Sequence, residues 1–359
     1  MSARATARVD LGAIERNVAR LRDAAGGAVM CAVVKADGYG HGAVDCAQAA
    51  RKGGADVLAV ATVAEAQQLR KSGDKERILI LGALHGADEV KQALRIKAEI
   101  SVWDPRFAAL LPDRARAHVK FDSGMGRLGT RDPLEATEIA DKLAGRGALA
   151  GVWTHFATAD EQPDKFFGKQ LERFTEWMTP LKQRHPDVVV HAANSAATLR
   201  DPACHFDMVR CGVGIYGLDP FGRDPFTHGL EPALSLTSYV AAVKIAERGD
   251  SVGYGRTFVA TGPTPVATIP IGYGDGVRRL LSNNCEVLIG GERRELIGNV
   301  SMDNITVRAE GCSYGDEVVL IGAQGEERVL AEEWARRIQT INYEVTCGLS
   351  SRVARISNS

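Results

Sequence analysis

Ala28-Val29-Met30-Cys31-Ala32-Val33-Val34 is a short apolar run that ends directly on Lys35, and Ala36-Asp37-Gly38-Tyr39-Gly40-His41-Gly42 follows it. A run of this length and composition reads as a strand buried on both faces. A lysine at the end of such a strand is costly to keep charged. At the mouth of a barrel it can act as an amine nucleophile toward a carbonyl cofactor. The glycines allow a sharp turn directly after it. An ordinary strand exit with a surface lysine fits this stretch, taken alone, at least as well. The rest of the chain decides between them.

Seven more β-prone runs follow, at 56–60, 77–81, 98–102, 118–121, 149–154, 188–192 and 208–216. Helical patterns separate most of them, as at 44–51, 135–142 and 166–184. Strands that alternate with helices argue for a parallel sheet. Eight such units argue for a closed (β/α)8 barrel of the TIM type, whose active site lies at the C-terminal ends of the strands. A helix over 11–23 precedes the first strand, and Asp10 is placed to cap it. After Gly229 the helical patterns nearly vanish. A long strand is expected over 233–243, then strands at 266–269, 285–289, 305–308 and 318–321, with one helix at 331–340. The expected organisation is therefore α/β followed by all-β. Residues 1–229 form the barrel and residues 230–359 a mostly β domain, with residues 1–10 free to pack against the latter.

A barrel requires polar groups at its strand ends to converge. Lys35 ends the first strand and Lys120 lies in the fifth, ahead of a glycine-rich loop that presents Arg127. His155 ends the sixth, Asn194-Ser195 opens a helix after the seventh, and Arg210 with Gly212-Val213-Gly214 closes the eighth. Any one of these has a structural alternative, such as a hydrogen-bonded core histidine or an arginine paired inside the barrel. Together they are chemically coherent. The helix start at Ser195 and the amides of Gly212-Val213 suit a phosphate. A phosphate anchor facing a Schiff-base lysine suits pyridoxal phosphate. A phosphorylated sugar bound by an aldolase-type lysine would use the same two parts.

The bulk properties exclude other classes. The formal net charge is −1, which leaves no basic field to gather nucleic acid or a membrane surface. No apolar segment has the length of a signal core or a bilayer span. The 7 cysteines are odd in number and form no C-x-x-C pair, so free thiols in a reducing cytoplasm are expected, with no metal site.

The stretch around Lys35 is followed, in order, by the segments 191–197, 209–217, 251–257, 271–276, 300–303 and 340–344. On these segments, from about Arg8 to Ile356, the chain resembles the alanine racemases. It implies pyridoxal 5'-phosphate as cofactor, alanine as substrate and a homodimer with shared sites. It also implies a cytoplasmic, peptidoglycan-supplying role. Lys35 would hold the cofactor as a Schiff base and serve as one base, and Tyr254 from the partner would be the other. Arg210 would face the pyridine nitrogen with His155 behind it, and Arg127 would bind near the substrate carboxylate. Tyr39, Ser195, Gly212, Val213 and Tyr343 would hold the phosphate, with Asn194 counted among the cofactor-binding residues. Met302, also from the partner, would meet the substrate carboxylate, and Tyr273 would narrow the entrance. Lys120 matches a position that is carbamylated in some members. Gly38 and Gly274 stand where alanine is commoner, and Asn299 where many members have arginine.

Racemisation removes a proton from one face of a planar carbanion and returns it to the other, which two opposed bases can do. Tyrosine titrates near ~10 when free and needs a nearby cation such as Arg127 to act as a base. Arg210 keeps its own proton, so a ring nitrogen facing it stays an acceptor and side reactions are restrained. A decarboxylase of the same two-domain architecture is the rival enzyme, and it would carry a carboxylate where Arg210 stands. A racemase of broader specificity is a second alternative. The non-enzyme rival is a barrel that stores or senses the cofactor, which would lack the β domain.

Overall fold

A computed structural model describes residues 4–162 and 164–358. The first strand, β1 (Thr6–Asp10), leads straight into a helix over Leu11–Ala24. Asp10 caps that helix by accepting from the Ala13 N–H at 2.9 Å. Eight parallel strands then close a barrel: β2 (Val29–Val33), β3 (Val57–Val60), β4 (Arg77–Ile80), β5 (Glu99–Val102), β6 (Ala117–Lys120), β7 (Leu149–Trp153), β8 (Val189–His191) and β9 (Met208–Cys211). Most of their residues are buried, as expected of strands covered by helices outside and filled by side chains within.

The remaining strands are β10 (Leu234–Tyr239), β11 (Ala242–Ala246), β12 (Ser251–Val252), β13 (Phe258–Val259), β14 (Thr264–Ile269), β15 (Glu286–Ile289), β16 (Glu292–Glu295), β17 (Ile305–Arg308), β18 (Glu317–Gln324), β19 (Glu327–Val329) and β20 (Ala354–Asn358). The main sheet runs β16-β15-β18-β10-β1-β20, with β19 on β18. A second sheet runs β11-β14-β17, and β12 and β13 form a two-stranded sheet. The strand β1 therefore pairs with β10 and β20, far along the chain. Met1 to Ala3, part of the segment expected to pack there, lie outside the described residues. At the joint between the two parts, the Asn17 side chain accepts from the Glu231 N–H and donates to the Glu231 carbonyl, both at 2.8 Å.

Three expectations are corrected. The strand expected over 208–216 ends at Cys211, and Val213–Tyr216 is a 3-10 turn. The Gly212 and Gly214 N–H groups donate to Ser195 Oγ instead of a ladder, which ends the strand. The strand expected over 233–243 is two strands in two sheets. Tyr239 pairs with Glu317 and Ala242 with Thr268, so the chain changes sheets at Val240-Ala241. The helix expected over 331–340 stops at Arg337, and a second helix, Asn342–Cys347, follows. All seven cysteines are free thiols. Among the described residues no helix is long and apolar enough to cross a membrane.

Candidate active site

The C-terminal ends of the barrel strands open into a cavity of ≈ 470 Å³. Lys35, Tyr39, Lys120, Arg127, His155, Asn194, Ser195, Arg210, Gly212, Val213 and Tyr343 all line it. These are the candidates that the sequence drew from the barrel, joined by Tyr343 from the C-terminal part. Tyr254, Tyr273 and Met302 do not line it, and all three side chains are exposed.

Lys35 stands two residues past the end of β2, at the start of a left-handed turn. Ala36, Asp37, Gly38 and Tyr39 have φ of 52°, 51°, 61° and 53°. Such angles in non-glycine residues cost about 1–2 kcal/mol each, so the surroundings must hold them. Glu65 accepts from the Ala36 N–H at 2.8 Å, and Asp37 accepts from the Ala43 N–H at 2.9 Å. His41 Nδ1 lies 3.0 Å from both the Gly38 and Tyr39 carbonyls, and its ring stacks on Tyr216. Burial pushes His41 down to about 4. The imidazole is therefore neutral, and its Nδ1–H donates to the turn. Burial, reinforced by Arg127, also pulls the Lys35 amine below its ordinary value.

Arg210 forms the floor. Nη1 donates to His191 Nδ1 at 2.9 Å, and Nη2 donates to the Thr154 and Ala192 carbonyls at 2.9 and 3.0 Å. His155 Nδ1 lies 3.3 Å from Nη2. Burial, then the charge of Arg210, holds His155 well below its ordinary range, which leaves a neutral ring to accept that bond. The Nε–H has no partner among the described residues. Burial pulls the guanidinium down only to about 10, so it stays charged at neutral pH.

Behind Arg210 runs a chain of contacts that the sequence did not reveal. His191 Nε2 lies 2.9 Å from His118 Nδ1, and His118 Nε2 lies 2.8 Å from Glu99. Glu99 also accepts from Arg77 at 2.8 Å and Arg116 at 2.7 Å. Burial pushes the Glu99 carboxyl up, but His118 and Arg77 outweigh it and hold the group well below the usual range.

The ends of β8 and β9 also supply a wall rich in donors. Ser195 Oγ accepts from Gly212 N–H at 3.0 Å and Gly214 N–H at 3.2 Å. With both lone pairs taken, its own O–H remains to donate. The Gly212 amide, expected to be free, is thus occupied, while the Val213 N–H has no partner among the described residues. The helix opens at Ser195 as expected, and Asn194 caps it by accepting from the Ala197 N–H at 2.9 Å. Burial raises both Tyr39 and Tyr343, so each keeps its phenolic proton to donate. A Cβ on Gly212 would lie 2.4 Å from Tyr39 Oη, so any larger residue there must displace the Tyr39 ring.

Lys120 is 1% exposed. Its Nζ lies 4.3 Å from the centre of the Trp153 ring, which also carries Arg210 at 4.7 Å. Burial, with Arg127 and Arg210, pushes its amine down to about 7. The Arg127 loop is organised by Asp122, which accepts from the Gly124 N–H at 3.1 Å, the Gly126 N–H at 2.9 Å and Arg131 at 3.1 Å. Asp122 and Glu65 were missed in the sequence. An aspartate ahead of Gly-x-Gly, and Thr62 three residues before Glu65 as a capping box, were the available signals.

Residues 9–220 match the model of the alanine racemase N-terminal domain, and residues 233–357 match that of the C-terminal domain. The alanine racemase of Geobacillus stearothermophilus is 41% identical, over 98% of this chain and 92% of that protein. Alanine racemase 1 of Bacillus subtilis is 40% identical, over 98% and 92%. Among solved structures, the alanine racemase of Streptomyces lavendulae superposes with a TM-score of 0.92 at 35% identity, covering 100% of this chain and 98% of that one.

Proposed function

Because the chain belongs to the alanine racemase family, we propose that it interconverts L-alanine and D-alanine with pyridoxal 5'-phosphate as cofactor. The observation that carries this reading is the meeting in one cavity of an amine of lowered proton affinity, a buried charged guanidinium and a wall of donors. These residues fit the cofactor. Tyr39, Tyr343, the Ser195 hydroxyl and the Val213 amide would hold its phosphate, with Asn194 capping the helix behind them. Arg210 would face its ring, with His155 behind, and Lys35 would meet its carbonyl. When bound, the cofactor supplies electron withdrawal from the substrate α-carbon.

The chain's own residues do the rest. Lys35 Nζ, of lowered proton affinity, takes or returns the α-proton on one face. Arg210 presents its Nε–H and keeps its charge, so no proton passes from it to the ring nitrogen. Arg127, carried by the Asp122-braced loop, binds the substrate carboxylate. The other face needs a second base, and the partner subunit's Tyr254 supplies it. The exposure of Tyr254, Met302 and Tyr273, away from their own chain's cavity, supports a homodimer in which they complete the neighbour's site. Met302 then meets the carboxylate through its backbone and Tyr273 narrows the entrance. The near-neutral titration of Lys120 supports its carbamylation, which requires an uncharged amine.

Arg210 disfavours the decarboxylase alternative, which calls for a carboxylate there. A cytoplasmic location and a supply of D-alanine for peptidoglycan go with the reading. Chiral analysis of L-alanine incubated with the protein and pyridoxal phosphate should end at a near-equal mixture of enantiomers. L-Alanine that persists unchanged, or that loses carbon dioxide, would sink it.

A further inference from the structure

Tyr254 lies on the tip of a very small hairpin. The pairing of β12 with β13 consists of Ser251 with Val259 and Val252 with Phe258. A ribbon this short has little stability of its own. Between its strands, Gly253, Gly255 and Arg256 have φ of 75°, 72° and 51°, and the Tyr254 side chain is 75% exposed. Packing within the chain therefore does not place the ring. Two asparagines tie the tip to the rest of the protein. Asn299 Nδ2 donates to the Tyr254 carbonyl at 2.7 Å. Asn283 Nδ2 donates to Thr257 Oγ1 at 3.0 Å, and its Oδ1 accepts from the Gly298 N–H at 2.6 Å. Among the described residues the Asn299 bond to Tyr254 and the Asn283 bond to Thr257 are the only hydrogen bonds from Gly253–Thr257 to anything beyond the hairpin. The tip also wraps closely around Asn299. A Cβ added at Gly253 would lie 3.3 Å from the Asn299 amide nitrogen, and one added at Gly255 would lie 3.3 Å from its Nδ2.

We propose that Asn299 is a positioning residue that sets where the Tyr254 phenol stands, through its side-chain amide on the Tyr254 carbonyl. Asn283 fixes the segment on which Asn299 sits. This inference rests on the reading that Tyr254 is one of two bases. Lys35 is fixed separately, by the turn around Glu65 and His41, so a shift of the hairpin tip does not reach it. Loss of the Asn299 amide should therefore impair proton transfer on one face only. A displacement of about 1 Å can slow a positioned reaction 10²-fold, so a loss of about tenfold on that face is expected.

The test uses the holoenzyme in D2O. It measures α-deuterium uptake without inversion into L-alanine and D-alanine separately, for wild type, N299D, N299A, Y254F and Y254F/N299D. N299D keeps the side-chain shape and removes the donor. By the family resemblance Tyr254 serves the L-enantiomer. Y254F should slow uptake into L-alanine far more than into D-alanine. N299D and N299A should slow it on the same side by about tenfold, with less than about twofold change on the other. In Y254F, the added N299D should do nothing further. Where Y254F shows the asymmetry and the Asn299 variants slow both sides alike or neither, the proposal is overturned and the two-base reading stands. Where Y254F itself slows both sides alike, the two-base reading is overturned and the proposal falls with it.

Discussion

Replacing Lys120 with methionine should stabilise the protein at neutral pH and below, with a gain that disappears as the pH rises. The ammonium of a side chain 1% exposed, near Arg127 and Arg210, is disfavoured in the folded state. Its pKa falls from 10.5 to about 7. The difference of about 3.5 pH units, at about 1.4 kcal/mol each, is worth about 5 kcal/mol. Between about pH 7 and 10.5 the unfolded chain holds a proton that the folded chain lacks, so this contribution makes stability rise with pH across that window. Below about 7 both states are protonated and the folded state carries the whole penalty. A methionine side chain at this position has no proton to hold and would keep most of the contact with Trp153. Urea unfolding of wild type and Lys120→Met, at half-unit steps from pH 6 to 10, isolates this effect as a difference between two curves. The variant should be more stable by about 4–5 kcal/mol at pH 6.5, and the gap should close toward pH 10. Added bicarbonate should narrow the gap at pH 7–8 by stabilising wild type alone, if the neutral amine is captured as a carbamate. Parallel curves, or a variant that is less stable throughout, would refute the argument.

Four further outcomes are expected. After borohydride reduction with bound cofactor, peptide mapping should find the label on Lys35, and Lys35→Ala should carry none. Gly212→Ala places a methyl group 2.4 Å from Tyr39 Oη, so the affinity of the apoenzyme for pyridoxal phosphate should weaken by about 1–3 kcal/mol, and an unchanged titration would count against the cradle. Glu99→Gln leaves His118, Arg77 and Arg116 without their anion and should cost about 3–5 kcal/mol at pH 7. Because the folded Glu99 carboxyl titrates below its ordinary 4.5, that difference should be present above this value and fade as the pH falls through the folded value; a pH-independent difference in denaturation would contradict it. Finally, co-refolded Lys35→Ala and Tyr254→Phe should recover up to about half the wild-type activity per mixed dimer, since one of two independent sites is intact. A confirmed mixed dimer without activity would reject the shared site.

Much of this protein is legible along the chain because the deciding signals are local. A buried parallel strand must be a continuous apolar run, and the residue at its end must face the barrel mouth. Lys35, Lys120, His155, Ser195 and Arg210 could therefore be gathered before any contact was known. Turn and cap chemistry is similarly local, as with Asp10. The errors fell where a distant partner overrides local propensity. Val213–Tyr216 is as β-prone as a strand, but Ser195 takes the amides on either side of Val213. The run after Ala233 is continuous in sequence, yet its halves pair in different sheets.

Several features belong to the tertiary structure alone. The pairing of β1 with β10 and β20 joins segments more than two hundred residues apart, and nothing in Thr6–Asp10 names its neighbours. The chain Glu99–His118–His191–Arg210 uses one side chain from each of four strands, at positions where a histidine or glutamate reads as an isolated oddity. The near-neutral Lys120 and the neutral His41 likewise depend on burial, which is a property of the whole packed molecule. Residue types and their order determine which chemistry is available at the strand ends. Which donors remain free, which amines lose their charge and which tyrosines face away from their own cavity are decided only when the chain closes on itself, because desolvation and hydrogen-bond competition act between residues that the sequence keeps apart.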